Sequence, residues 1–488
     1  MRGNRLVHIG VVLTLVLIAF GILSNGLSSS KTFAAAPRQQ HVTAGTLGDT
    51  QTYTTYLPVV SQNWSGILPP FGVQYYGIPS PNKGLTYAME AGVRWIRVPL
   101  SWRAIEPANT IPAYYNWTYL DAQVSSVAAG ADSTELIITI SEQPEWAALY
   151  PSGPVTNTED LLEFVGAVVG RYNGSDPDLP EIRFFELYNE PDNTDPDRAA
   201  HAGWGFWGNN GAGYAVLLKQ LYPVMKAANP NAQLVFGGIA LDWFVDDDPP
   251  GIFDECFLRD VLQACQGHLC FDVMNFHYYP VFYERWLPYG PGIVGKTNYV
   301  REQLRQYGFG DVPVIVTEAG WDSASSWGST ELQDRYPAIL YSRGMSVNLD
   351  VVIWFMIRDL EHFGAHGLLD IDYQPKSSYW AYRVMTSMLS FTSYQRPLSL
   401  AETGSGQIEG YVFVRGTKRI DVVWVNDVKP LDPSTDAPSL PLVMSAQRLR
   451  VTDKYGVTYL VSDIDDGVLD GGVEISVDGS PLYLEYNP

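Results

Sequence analysis

The sequence predicts a (β/α)8 barrel over residues 67–392 and a small antiparallel β-sandwich domain over residues 393–488. Three observations carry that expectation. Short apolar runs alternate eight times with helix-like segments between Phe71 and Ser390. Alternation at this spacing implies parallel strands, and eight such units imply a closed barrel rather than an open sheet. Two of the apolar runs end in a glutamate, one followed at once by Pro191 and the other, after Ala319, by Gly320. Beyond Phe391 the helical period disappears, and short strand-like runs are separated by Gly, Asp and Pro turns, the pattern of a small β domain.

In order, FGVQYYG (residues 71–77) is the first strand and GLTYAMEAG the first helix. WIRVPLSW (95–102) is the second strand, followed by a helix over 119–129. ELIITISEQP (135–144) is the third. The helix after it, 158–172, places Leu162, Phe164, Val165, Val168 and Val169 at helical spacing. FFELYNEP (184–191) is the fourth strand, stopped by Pro191, which has no N–H to continue a ladder. A helix over 214–228 ends at Asn229-Pro230, a usual stop. QLVFGGIA (233–240), FDVMNFHYYP (271–280), VPVIVTEAGW (312–321) and VVIWFMIRD (351–359) supply strands five to eight. Helices over 257–264, 298–307, 331–347 and 378–390 complete the set. In the tail, YVFVRG, IDVVWVN, QRLRVTD, TYLVSD, VEISVD and PLYLEY read as short strands, and DIDDG (463–467), which lacks calcium-loop spacing, as a turn.

Composition narrows the function. A chain of 488 residues that is 46% hydrophobic and 17% charged is an ordinary globular protein. Its net charge of −22 argues against a nucleic-acid partner, whose binders present a basic face. The 30 tyrosines and 14 tryptophans suit a carbohydrate cleft, because rings stack on the apolar faces of sugars, although most rings in any domain are core. Residues 1–36 read as a signal peptide or N-terminal anchor: Arg2 and Arg5 precede an apolar run from Ile9 to Leu23, and small residues follow at positions 34–36. The protein is therefore expected to be secreted or at the cell surface, with membrane contact only if that segment stays uncleaved. Residues 37–66 read as a linker. Three cysteines in an exported chain point to one disulfide, Cys265–Cys270 or Cys256–Cys265, with an odd thiol left over. No Cys/His cluster has zinc spacing, so neither a metal nor a cofactor is expected, and the chain is expected to be a monomer.

Glu190 and Glu318 each stand at the carboxyl end of a hydrophobic strand, where barrels of this type carry their chemistry. Paired carboxyls there suggest a two-acid site. The ordered series VRWIRVPLSWRAIEP, ELYNEP, HYYP, VIVTEAGW and IWFMIRD resembles the clan A retaining (β/α)8 glycoside hydrolases, the cellulase and β-xylosidase-like superfamily. The resemblance spans residues 71–392. One Asn-Glu-Pro tripeptide is weak; five matches in strand order are specific.

The resemblance implies double-displacement cleavage of β-glycosidic bonds, with Glu190 as acid/base and Glu318 as nucleophile. By the same resemblance Asn189 binds the sugar hydroxyl beside the anomeric carbon and Arg97 supports the nucleophile. A buried arginine must be paired, and Glu318 or Glu186 could pair with it. Tyr279, in preference to Tyr278, donates to the nucleophile. His277 lines the subsite or is a satisfied structural histidine, and Trp354 is expected as the stacking platform under the sugar. Trp146, in QPEWA, flanks the cleft or packs a loop. The two tryptophans of HAGWGFWGNN (201–210) and the rings of residues 278–289 build further subsites or pack the rim. The substrate is thus expected to be a polysaccharide or oligosaccharide. Two other readings stay open, a non-catalytic carbohydrate-binding barrel and a transglycosylase.

Overall fold

The computed structural model describes residues 68–130, 134–199, 205–426, 437–465 and 467–486. The expected export segment at 1–36, the whole of the expected linker at 37–66, and Trp204 lie outside them. Eight strands form one parallel sheet: β1 Phe71–Gln74, β2 Trp95–Ser101, β3 Glu135–Ser141, β4 Phe184–Leu187, β5 Gln233–Val235, β6 Met274–Tyr278, β7 Val314–Ala319 and β8 Val351–Trp354. Their spatial order is β5-β4-β3-β2-β1-β8-β7-β6. Parallel bridges Val235↔Val273 and Ile239↔Phe276 join the two ends and close the barrel. Helices follow the strands in turn: α1 Leu85–Glu90, α2 Thr118–Gly130, α3 Thr158–Arg171, α4 Gly211–Ala228, α5 Phe257–Cys265, α6 Ile293–Gln306, α7 Thr330–Ser346 and α8 Ser377–Leu389. None of the helices among the described residues is long and apolar enough to cross a membrane.

The helices form where periodicity and caps agree. In α3 the Asn157 side chain accepts from the Glu159 N–H, meeting one of the open donors of the first turn. Its buried stripe is Leu161, Phe164, Val165, Val168 and Val169. Leu161 thus takes the inward position expected of Leu162, because the stripe drifts slightly around a 3.6-residue helix.

Strand alternation stacks the barrel interior in layers. Its floor is apolar, built from Trp95, Ile137, Phe184, Val235, Val273, Ile315, Val351 and Ile353. Two residues further along the same strands the interior turns polar: Arg97, Thr139, Glu186, Asn275 and Thr317, all buried. The third layer opens at the strand C-termini.

The β domain has two sheets. One runs β14-β13-β16-β11-β10-β9, and the other pairs β12 with β15. Here β9 is Ser393–Pro397, β10 Ile408–Arg415, β11 Lys418–Val425, β12 Leu440–Met444, β13 Arg448–Asp453, β14 Thr458–Ser462, β15 Val473–Val477 and β16 Leu482–Tyr486. Val423, Leu449 and Leu484 of the larger sheet share a core with Leu442, Ile475 and Val477 of the smaller. Strands β9 and β12 were not expected, since each contains a proline and lacks clean apolar alternation. The domain docks on α7: Arg343 forms a two-pronged pair with Glu409 at 2.8 and 2.7 Å, and Tyr455 donates to Asp334 at 2.6 Å. Cys265 and Cys270 form the disulfide, and Cys256 is free.

Candidate active site

Glu190 comes to the barrel mouth because the chain leaves β4 in a strained path. Tyr188 and Glu190 both adopt left-handed backbone, φ +66° and +46°, a conformation that costs non-glycine residues energy and clusters at functional sites. The path is held by backbone bonds from Tyr188 N–H to Ile140 and from Glu190 N–H to Gly238, each 2.9 Å. Position 238 must be glycine, since a Cβ there would lie 2.2 Å from His277 Nε2.

Glu318 reaches the same mouth by another device. The register of β7 shifts against both β6 and β8, so that Phe276 pairs with Val316 but His277 with Glu318. Such a bulge inserts one extra residue and re-aims its neighbour. Thr317 and Glu318, adjacent in sequence, therefore both reach interior partners: Thr317 Oγ1 lies 3.1 Å from Glu186 Oε1, and Glu318 binds Arg97.

Arg97 ties the layers together. Nε and Nη2 donate to the two Glu186 oxygens at 2.7 and 3.0 Å, Nη1 to Glu318 Oε1 at 2.7 Å, and Nη2 also to Asn189 Oδ1 at 2.8 Å. Glu186 is wholly buried. Burial would raise its pKa, yet Arg97 holds it below the usual carboxylate range. Both partners proposed for Arg97 from the sequence are thus engaged at once.

His277 and Tyr279 complete the cluster. Tyr279 Oη donates to Glu318 Oε2 at 3.1 Å. Tyr278 turns the other way and is buried beside Gly292, as alternation requires. His277 Nδ1 lies 3.0 Å from Glu190 Oε1 and 3.6 Å from Glu318 Oε2, with Nε2 3.3 Å from Thr317 Oγ1. Burial lowers its pKa to about 4, although Glu318 pulls the other way, so the ring is neutral near pH 7. Burial pushes Glu190 up to about 7, against the pull of Arg97 and Lys296. Glu190 and a neutral imidazole therefore share one hydrogen-bonded proton. Carboxyl oxygens of Glu190 and Glu318 and a His277 nitrogen all lie within 4.8 Å of one another, a group compact enough to hold a metal ion. A cation there would face the Arg97 guanidinium already bound to Glu318, which disfavours it.

Trp354 does not line the cleft. Ile353 belongs to the barrel floor, so its neighbour Trp354 points outward by alternation. It is wholly buried against Tyr336 and Tyr382, and its Nε1 donates to the His366 carbonyl at 3.0 Å. The ring that flanks the site is Phe355, edge-on to Tyr279 and to His366. Beside it Tyr76 and Phe363 stack at 4.9 Å, 38% and 39% exposed. None of these three rings was singled out in the sequence; a parity count along β8 could have favoured Phe355. Trp146 packs edge-on against Trp102 and makes no described contact with the carboxyl cluster. Trp207 is buried against Tyr188 and Tyr214, and Tyr283 and Trp286 are buried too, so these rings serve the rim.

Three buried ionisable groups behind Glu190 were also missed. Asp192 accepts from the Ala240 and Leu241 N–H groups at 3.1 and 2.8 Å, and Lys296, wholly buried, donates to Asp242 at 2.6 Å. They fasten the β5 exit to β4 and α6.

Neither the profiles of known protein families nor the sequences of curated proteins match this chain. Solved structures do. A family 39 glycoside hydrolase from Bacteroides cellulosilyticus WH2 superposes with a TM-score of 0.63 at 21% identity, over 87% of this chain and 82% of that one. A monomeric β-xylosidase from Caulobacter crescentus CB15 gives 0.56 at 15% identity, over 86% and 97%. A GH30 endoxylanase from Clostridium papyrosolvens C71 gives 0.56 at 11% identity, again over 86% and 97%. At such identities the likeness is one of fold.

Proposed function

We propose that the protein is an exported retaining glycoside hydrolase that cleaves β-glycosidic bonds in polysaccharides or oligosaccharides. One observation carries the reading: carboxyl oxygens of Glu190 and Glu318 approach within 4.8 Å, in unlike surroundings. Retaining enzymes keep their carboxyls about 5–5.5 Å apart, whereas inverting enzymes leave about 6.5–9.5 Å for a water.

The surroundings divide the roles. Glu318 is held between a guanidinium and a phenol, which fix its carboxyl oxygens in place, so it attacks the anomeric carbon. Glu190, pushed up to about 7, still holds a proton near neutrality and gives it to the leaving oxygen. In the second step Glu190 takes a proton from water, which displaces Glu318 from the sugar. Asn189, which accepts from Arg97, meets the hydroxyl next to the anomeric carbon. Phe355 takes the platform role first expected of Trp354. Export rests on the basic and apolar start of the chain, and the Cys265–Cys270 disulfide supports an oxidising destination.

The test is nitrophenol release from a panel of aryl β-glycosides, beside reducing ends from xylan, mannan and β-glucan, for wild type and Glu318→Gln. Proton NMR of the first-formed product should show the anomer of the substrate. Equal activity of the two proteins, or an inverted product, would overturn the assignment.

A further inference from the structure

On the side of the mouth formed by the β7 and β8 exits lies a second polar pair that the two-acid chemistry leaves unused. Asp322 stands four residues past Glu318, and His366 comes from the loop after β8; they are 9% and 7% exposed. Asp322 Oδ1 accepts from the Ala324 and Ala365 N–H groups at 2.9 and 3.2 Å. Its Oδ2 faces His366 Nε2 at 3.9 Å, too far for a hydrogen bond. Space for that carboxylate exists because residue 364 is glycine at φ +75°, where a Cβ would come 2.8 Å from Oδ2.

His366 Nδ1 is buried with no hydrogen-bond partner among the described residues. That atom is sealed from the cleft, so a ligand would engage Asp322 Oδ2 and His366 Nε2, which make no hydrogen bond among the described residues and are costly to leave unpaired. The ring is nonetheless held in place. It lies 5.9 Å from the Tyr279 ring and 5.6 Å from that of Phe355, and Tyr279 itself donates to Glu318. Lys376 pins the loop through the Ala365 carbonyl at 3.0 Å and both Asp359 oxygens at 3.2 Å. Burial keeps the imidazole neutral near pH 7, with its pKa down at about 4.

We propose that Asp322 and His366 bind two neighbouring hydroxyls of the sugar that meets Glu318, and thereby decide which sugar the site accepts. The proposal rests on the glycosidase reading above. A carboxylate oxygen only accepts, while a neutral imidazole accepts at one nitrogen and donates at the other. A vicinal diol, each oxygen both donor and acceptor, completes both groups at once. Phe355 and the exposed Tyr76–Phe363 stack offer apolar surface beside it. An epimer or deoxy sugar would leave buried polar groups unpaired, the arrangement that gives a hydrogen-bonding pocket its selectivity.

The experiment uses the full chain and 4-nitrophenyl β-D-xyloside, glucoside, galactoside and mannoside, then the monodeoxy analogues of whichever is turned over. Wild type should lose about 10- to 100-fold in kcat/KM at each of two adjacent ring positions. Asp322→Asn keeps Oδ1 for its two backbone bonds, and His366→Phe keeps the ring packing. Each variant should lose a similar factor on the parent sugar, yet be nearly indifferent to removal of the matching hydroxyl. Variants that discriminate against the deoxy sugars as wild type does overturn the proposal, and so does a lower unfolding temperature with unchanged selectivity. Failure of wild type on every aryl glycoside strikes instead at the glycosidase reading.

Discussion

Glu190 and Glu318 end two strands of one barrel, and they share a single histidine, yet they live in opposite surroundings. Glu318 meets a guanidinium and a phenol. Glu190 meets a neutral imidazole, and desolvation outweighs the pull of Arg97 and Lys296, so its pKa rises to about 7. The same side chain is thus given different partners by what is packed against it, and on the proposed mechanism that difference separates nucleophile from acid.

Substitutions break the comparison most sharply. Glu318→Gln should lower kcat by about 10⁴- to 10⁶-fold for every aryl glycoside, since no leaving group replaces a missing nucleophile. Glu190→Gln should cost less, about 10²- to 10⁴-fold, and the deficit in the glycosylation step should shrink for 2,4-dinitrophenyl glycosides, whose leaving group needs no proton. Equal deficits across leaving groups would put the acid elsewhere. Tyr279→Phe removes one of the two donors to Glu318 and should reduce kcat/KM by about 10- to 100-fold; steady-state kinetics that matched wild type would remove Tyr279 from the nucleophile's support.

The raised pKa of Glu190 has a pH signature. If Glu190 is the acid, as proposed, it serves only while protonated, so kcat/KM should fall on the alkaline side with a midpoint near 7 in wild type. The raised pKa also bears on stability. Its stabilising contribution is fully present below the ordinary carboxylate value and is lost as pH rises through about 7. Glu190→Gln should therefore unfold at higher temperature than wild type at pH 8, and at nearly the same temperature at pH 4. Calorimetry showing the reverse order at pH 8 would contradict the burial argument. The smallest effect is expected away from both carboxyls. Trp354→Phe should cost about 1–2 kcal/mol of stability, measured by denaturant unfolding, and leave KM unchanged.

Much of this site could be read along the chain. Strands that end in glutamate before Pro191 and before Gly320 are unusual enough to mark a barrel mouth, and Arg97 inside an apolar strand demanded buried acids. Parity was harder. Trp354 and Phe355 are neighbours in one apolar run, and which of them faces the cleft depends on how β8 registers with β1 and β7. Likewise Thr317 and Glu318 face inward together only because β7 is bulged. Asp322 and His366 lie in loops without periodicity, so nothing local placed them side by side.

What the sequence determined by itself is therefore the alternation of eight strands and helices, the β domain behind them, and the two carboxyls at strand ends. Those features rest on local rules: apolar period, turn residues and chain breakers act within a few positions of one another. Only the tertiary structure decided how close the carboxyls come, which of them keeps a proton, and which ring flanks them. Each depends on burial and on partners brought together from distant strands, as when Arg97 binds Glu186, Asn189 and Glu318 at once.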